Sequence, residues 1–147
     1  MVIGIFGESC TGKSTLAEEL RRELDARVYT GRDYLRLARD QASARRAFQA
    51  LLEGARCGEH VIWVISEQED LALLPESSLR VLVTAGLPEI KARFARRMGG
   101  VLPPPVEAML ERKHGCFDGE AHDLHVSSGQ TDLGMVCGRI RAMVSAG

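Results

Sequence analysis

Apolar and polar positions follow two rhythms along this chain. Short apolar runs stand at Val2–Phe6, Arg27–Tyr29, His60–Ile65, Leu79–Thr84 and Leu124–Ser127. Runs of this length, rich in β-branched residues and flanked by polar turns, predict strands. Between them lie segments with the helical period. In Thr11–Leu24, Leu16, Leu20 and Leu24 recur at every fourth position with Glu and Arg between them. Asp33–Glu53 is rich in Ala, Arg and Leu and predicts one or two helices ending at Gly54. Leu87, Ile90, Phe94 and Met98 mark another helix face, and Leu133, Val136, Cys137, Ile140 and Val144 a final one. Val106, Met109 and Leu110 belong to a helix that Pro105 can open and Gly115 can close. Gly99-Gly100 and Pro103-Pro104-Pro105 punctuate the chain and mark a connector, a natural hinge or lid. Strands alternating with helices throughout predict an α/β fold, a parallel sheet with helices on both faces.

The 147 residues fit one domain, 1–147. With 19 basic and 20 acidic residues the formal charge is −1, which argues against a nucleic-acid partner held by bulk charge. No run approaches the roughly 18 apolar residues of a membrane span, and the segment Met1–Gly7 lacks the basic region of a secretion signal. The expectation is therefore a cytoplasmic protein with no membrane partner. Its four cysteines, Cys10, Cys57, Cys116 and Cys137, form no C-x-x-C pair and are expected as free thiols.

The first strand runs directly into Gly7-Glu8-Ser9-Cys10-Thr11-Gly12-Lys13-Ser14, followed by Thr15. This fits G-x-x-x-x-G-K-[ST] in its required setting, between a strand and an amphipathic helix. Gly7 and Gly12 let the backbone curl around an anion without Cβ clashes. The loop amides then point inward, and the helix start adds its positive dipole end. Lys13 supplies a point charge for β- and γ-phosphates, and Ser14 a hydroxyl for Mg²⁺. Cys10 occupies a free position of the motif, either as loop filler or as a thiol near a helix N-terminus.

Two further segments accompany that loop. Thr30-Gly31-Arg32-Asp33-Tyr34 follows the second strand, and Asp123–Gly129 with Thr131 ends the last one. Together the three segments resemble the P-loop kinase superfamily, and within it the nucleoside monophosphate kinases of the cytidylate kinase-like group. The resemblance implies a five-stranded parallel sheet in the order 2-3-1-4-5 with a short lid. It also implies ATP as phosphoryl donor, Mg²⁺ as bridge, and an acceptor site at Thr30, Gly31, Arg32, Asp33, Tyr34 and Arg36. The chain departs from the group at Leu35, where an Arg is usual. It departs again at Val64-Ile65-Ser66-Glu67, where the Gly-Arg-Asp that grips an acceptor phosphate is missing.

Other residues admit two readings each. Asp33 fits an acceptor-orienting carboxylate or a helix N-cap. Glu67, closing the third strand, fits a carboxylate for Mg²⁺-bound water or a surface loop. Arg93 and Arg97, with Arg96 beside them, project from one side of a helix. There they suit either a clamp on phosphates, as the resemblance implies, or a solvated face. Arg112 and Lys113 suit the return side of a lid or cations at a helix C-terminus. Tyr34 can stack on an acceptor base or belong to the core. His114, Cys116, His122, Asp123 and His125 cluster in sequence but match no standard zinc spacing. Trp63, in a β-branched run, is expected in the core.

These features predict an ATP-dependent small-molecule kinase, monomeric or weakly dimeric. Lys13, Asp33, Arg93, Arg97 and Arg112 would act on the transfer, Ser14 and Glu67 on the metal, and a nucleoside monophosphate or similar compound would accept. The rivals are a kinase for a non-nucleotide metabolite and a non-catalytic ATP-binding regulatory module.

Overall fold

The computed structural model describes residues 1–55, 59–129 and 132–146. Cys57 and Thr131 lie outside the described residues. Five strands, β1 (Val2–Phe6), β2 (Arg27–Thr30), β3 (Val61–Ile65), β4 (Leu79–Thr84) and β5 (Leu124–Ser127), form one sheet in the order β2-β3-β1-β4-β5. Every pairing is parallel. All five residues of β1 and all five of β3 are buried, which is why these strands read as unbroken apolar runs.

Side chains leave the sheet alternately on two sides. Val2 and Phe6 of β1 and Val61, Trp63 and Ile65 of β3 face one core layer, with Ala44, Phe48 and Leu52 packed over them. Ile3, Ile5, Ile62 and Val64 face the other, under Leu16, Ala17, Leu20, Val136, Cys137 and Ile140. The covering helices are α1 (Lys13–Leu24), α2 (Gln41–Gly54) and α5 (Leu133–Ala146). Two more, α3 (Leu87–Arg97) and α4 (Pro104–Lys113), flank the glycine- and proline-rich connector. Lys91 braces this pair, its Nζ lying 2.6 Å from Glu111 and 3.4 Å from Glu107.

Several boundaries differ from the pattern's expectation. Helix α1 starts at Lys13 and not Thr11, because Gly12 holds a left-handed φ of 99° at its N-cap. The segment after β2 divides into a 3-10 turn, Asp33–Leu37, and α2. Asp40 is the residue that caps α2, accepting from the Ser43 amide at 2.8 Å. Asp33 lies inside the 3-10 turn, so it is not the helix cap that its residue type suggested. Helix α4 begins at Pro104, with Pro105 inside its first turn. Gly115, at φ 80°, follows its C-cap His114.

A second 3-10 segment, Gln68–Leu73, carries Asp70, which is 1% exposed. Its carboxylate accepts from Tyr34 Oη at 2.9 Å, Arg45 at 3.2 Å and Arg32 Nε at 3.4 Å. Tyr34 is itself 1% exposed, stacked on Phe48 and edge-on to Trp63. Trp63 Nε1 donates to the Gly31 carbonyl at 2.9 Å. Burial first, and then the Asp70 carboxylate, keep the Tyr34 phenol protonated above its usual range. The Thr30–Tyr34 segment is thus riveted to the core from two sides. Asp70→Ala should lower unfolding stability by about 2–3 kcal/mol, the usual cost of losing hydrogen bonds to a charged group. A reduced urea midpoint with an unchanged m value would verify this.

Candidate functional site

A parallel sheet delivers the carboxyl ends of its strands, and the loops after them, to one edge. Here β1 supplies Gly7, β2 Gly31, β3 Ser66, β4 Ala85 and β5 Ser128. Gly7–Gly12 forms the centre. Gly7 is forced by contact: a Cβ there would sit 2.1 Å from the Val83 carbonyl oxygen. Cys10 adopts φ 62° and Gly12 φ 99°, so the backbone curls back on itself. Thr11, fully buried, locks the curl by donating from Oγ1 to the Glu8 carbonyl at 2.9 Å. No side chain caps α1 at Gly12, so its first amides stay open to an anion.

Lys13 completes the cup. Its Nζ donates to the Gly7 carbonyl at 2.8 Å and to that of Glu8 at 2.5 Å, and the residue is 5% exposed. Burial lowers its pKa from 10.5 to about 8; Cys10 and Glu8 counter part of that shift, and Arg97 adds to it. An ammonium strained by desolvation and surrounded by open amides is a strong attractor for a polyphosphate.

Three cavities meet here. A cup of about 210 Å³ is lined by Ser9–Thr15 with Thr30, Gly31, Val64, Ser66 and Arg97. A cleft of about 540 Å³ shares the wall Cys10–Gly12 and Thr15 and continues over Leu16, Val83, Arg93, Arg96, Arg97, Val126–Gly129 and Leu133. Its apolar walls and arginine rim suit a ring system with an anionic tail. On the other side, Ser66 also borders a cavity of about 450 Å³ with Glu67, Gln68, Glu69, Lys113 and Cys116. The arrangement can hold an anion in the middle and a separate small molecule on each flank.

The residues singled out from the sequence divide accordingly. Gly7 forms the first turn of the loop, and Ser9, Cys10, Thr11, Gly12, Lys13, Ser14, Thr15, Thr30, Gly31 and Arg97 line the cup. Arg93 is a strut as well as a wall: its guanidinium donates to the Cys10 carbonyl and to Ser128 Oγ, both at 3.0 Å. Arg97 is the cation of that helix that reaches the cup. Glu67 lines the outer cavity and Ser14 the cup, and the two cavities meet at Ser66. Tyr34 is enclosed in the core and offers no ring face to an acceptor. Arg32 is tied to Glu69 at 2.5 Å and to Asp70. Asp33, Arg36 and Arg112 are exposed, and beside Arg112 it is Lys113 that turns to the outer cavity.

Glu8, expected with the rest of the loop to bind the nucleotide, turns its side chain away from the cup. Its carboxylate lies 3.0 Å from His114 Nδ1 and accepts from the Gly115 amide at 3.1 Å, joining the loop to the end of α4. The other histidines go elsewhere: His125 pairs with Thr84 Oγ1 at 2.8 Å and His122 with the Glu120 carbonyl at 2.9 Å. Among the described residues, no three His, Cys, Asp or Glu side chains converge as metal ligands. Cys10, Cys116 and Cys137 are free thiols. Residues to which the sequence assigned no role of their own include Ser66, Asp70, Arg45 and Ser128. Ser66 had a signal, being the first polar residue beyond a fully apolar strand. The Asp70–Arg45 pair had none, because it joins positions 25 apart with no shared period.

No family model matches the chain, and no curated protein matches it in sequence. Solved structures do share its fold. One is an uncharacterized protein from Eubacterium ventriosum, at TM-score 0.71 and 15% identity over 100% of this chain and 99% of that one. YorR from Bacillus subtilis, solved in complex with phosphorylated GDP, gives 0.67 and 18% over 99% and 96%. Shikimate kinase from Acinetobacter baumannii, solved in complex with shikimate, gives 0.65 and 13% over 99% and 93%. At such identities the likeness is one of fold, the five-stranded α/β sheet of P-loop kinases. No helix among the described residues is long and apolar enough to cross a membrane.

Two outcomes follow from this geometry. Gly7→Ala should abolish triphosphate binding and cost about 1–3 kcal/mol of stability through overpacking, read by calorimetric titration and chemical unfolding. Because the folded Lys13 value, about 8, lies below 10.5, the unfolded chain holds the extra proton between those values. The residue's contribution to stability therefore rises with pH across that window, while its charge on the anion is lost. Affinity for ATP should fall as pH climbs through about 8, and Lys13→Met should remove that inflection.

Proposed function

We propose that this protein is a small-molecule kinase that uses ATP and Mg²⁺. The observation that carries the reading is the buried Lys13 ammonium within a cup of open amides, flanked by two separate cavities that share its walls. The 540 Å³ cleft would take the nucleoside of ATP, with the triphosphate running under Arg97 into the cup. The acceptor would lie in the cavity beyond Ser66. Ser14, an exposed hydroxyl in the cup wall, is the hard oxygen donor that would hold Mg²⁺, an ion that neutralises charge between β- and γ-phosphates when bound.

The acceptor hydroxyl oxygen forms a bond to the γ-phosphorus as the bond to the β,γ-bridging oxygen breaks. ADP leaves, and the hydroxyl proton passes to Glu67, the carboxylate at the border of the acceptor cavity. Lys13 and the loop amides stabilise the charge on the β–γ bridge, and Arg97 the spread charge of the transferring group. Arg93 holds the loop in position through the Cys10 carbonyl. Catalysis by this arrangement is positioning and electrostatics, with no covalent enzyme intermediate.

The resemblance to cytidylate kinase-like proteins favours a nucleoside monophosphate as acceptor. The enclosure of Tyr34 and the commitment of Arg32 to Glu69 and Asp70 favour a non-nucleotide metabolite instead. ADP release from ATP over a panel of alcohols and nucleoside monophosphates tests the reading. Lys13→Ala should reduce turnover about 10²–10³-fold, the usual effect of removing one preorganised charge-stabilising donor. Arg97→Ala should lower kcat about 10-fold or more by the same mechanism, with a smaller change in KM. ATP binding without transfer to any member of the panel would overturn it.

A further inference from the structure

The two flanks of the cup differ in charge. Arg93, Arg96 and Arg97 face the 540 Å³ cleft, whose lining includes no carboxylate among the described residues. The cavity beyond Ser66 has the opposite character, with Glu67 and Glu69 in its wall and, among the described residues, Lys113 as its one lining cation. Two arginines beside that cavity, Arg32 and Arg45, are engaged. Arg32 places Nη2 2.5 Å from Glu69 and Nε 3.4 Å from Asp70, while Arg45 lies 3.2 Å from Asp70. Asp70 is 1% exposed. Pulling either arginine toward an incoming anion would strip a buried carboxylate of a partner, a strongly unfavourable exchange.

The remaining polar groups of the wall are mostly hydrogen-bond acceptors. Gln68 gives one N–H of its amide to Glu120 Oε1 at 2.7 Å, which leaves the carbonyl oxygen to accept beside the second N–H. Glu67 and Glu69 accept only, and Ser66 can do either. A wall of acceptors suits a ligand rich in donors, and hydroxyl or ammonium groups supply them. A phosphate or carboxylate on the acceptor would face Glu67 and Glu69, with Lys113 to offset them and Arg32 already held by Glu69 and Asp70.

We infer that the phosphoryl acceptor is an alcohol without an anionic group of its own, a neutral polyol or an amino alcohol. The inference rests on the kinase reading and specifies its substrate class. It is tested with the full chain saturated with Mg²⁺ and a non-hydrolysable ATP analogue, whose own binding is titrated first. Matched probes are then titrated: glucose, glucosamine, gluconate and glucose 6-phosphate, and cytidine against its monophosphate. The neutral or amino member of a set should bind at least tenfold more tightly than its anionic counterpart. Glu69→Gln, at an exposed position, removes one carboxylate and frees Arg32 Nη2 while Nε stays on Asp70, so it should shift that ratio at least fivefold toward the anion. Anionic members that bind as tightly or more tightly, no binding by any probe, or an unmoved ratio in Glu69→Gln would each overturn the acceptor class. Failure of the ATP analogue to bind would instead overturn the kinase reading beneath it.

Discussion

The hold of two backbone carbonyls on one buried ammonium organises this molecule. Lys13 bonds to the Gly7 and Glu8 carbonyls, so a cation and the turn that surrounds it fix each other. For this to occur, β1 must end at the middle of the sheet, where β3 and β4 flank it and the Val83 carbonyl presses on Gly7. The strand order, the missing side chain at Gly7 and the left-handed turn at Gly12 are parts of one requirement. The ammonium has to remain charged in a place that disfavours charge, and its lowered pKa measures that tension.

The edge of the sheet extends this logic outward. Each strand end contributes one short loop, and the loops from β1, β2 and β3 supply Gly7, Gly31 and Ser66. Because Ser66 belongs both to the cup and to the acidic cavity, the two sites share a wall. Arg93 performs the corresponding task on the other flank, joining α3 to the loop and to Ser128. Cations gather where phosphates would lie and carboxylates gather beyond, so the site is polarised along the path a phosphoryl group would take.

Much of this was legible in the sequence wherever a local period or a fixed spacing carried it. The apolar runs of β1 and β3, the fourth-position leucines of α1 and the glycine–lysine spacing of the loop each satisfy a physical rule within a few residues. What escaped was set by contacts between distant positions. Tyr34 fits a cleft or the core from its sequence neighbours, and distant Phe48, Trp63 and Asp70 decide for the core. Asp33 resembles a helix cap, but the chain makes a 3-10 turn there and Asp40 takes that role. Arg112 and Lys113 are adjacent, and only the rotation of α4 decides that Lys113 meets the cavity. Arg93 and Arg97 share a helix side, yet one is bound as a strut and the other faces the cup.

The bond from Glu8 to the chain after α4 bears on how the protein comes into being. It joins positions 106 and 107 residues apart. Closing so long a span has an entropic cost that only extensive packing elsewhere can offset. During synthesis the Gly7–Gly12 loop emerges before α4, yet it gains this anchor only once the residues after α4 are present. A nascent chain halted before α4 would present the motif without that tether.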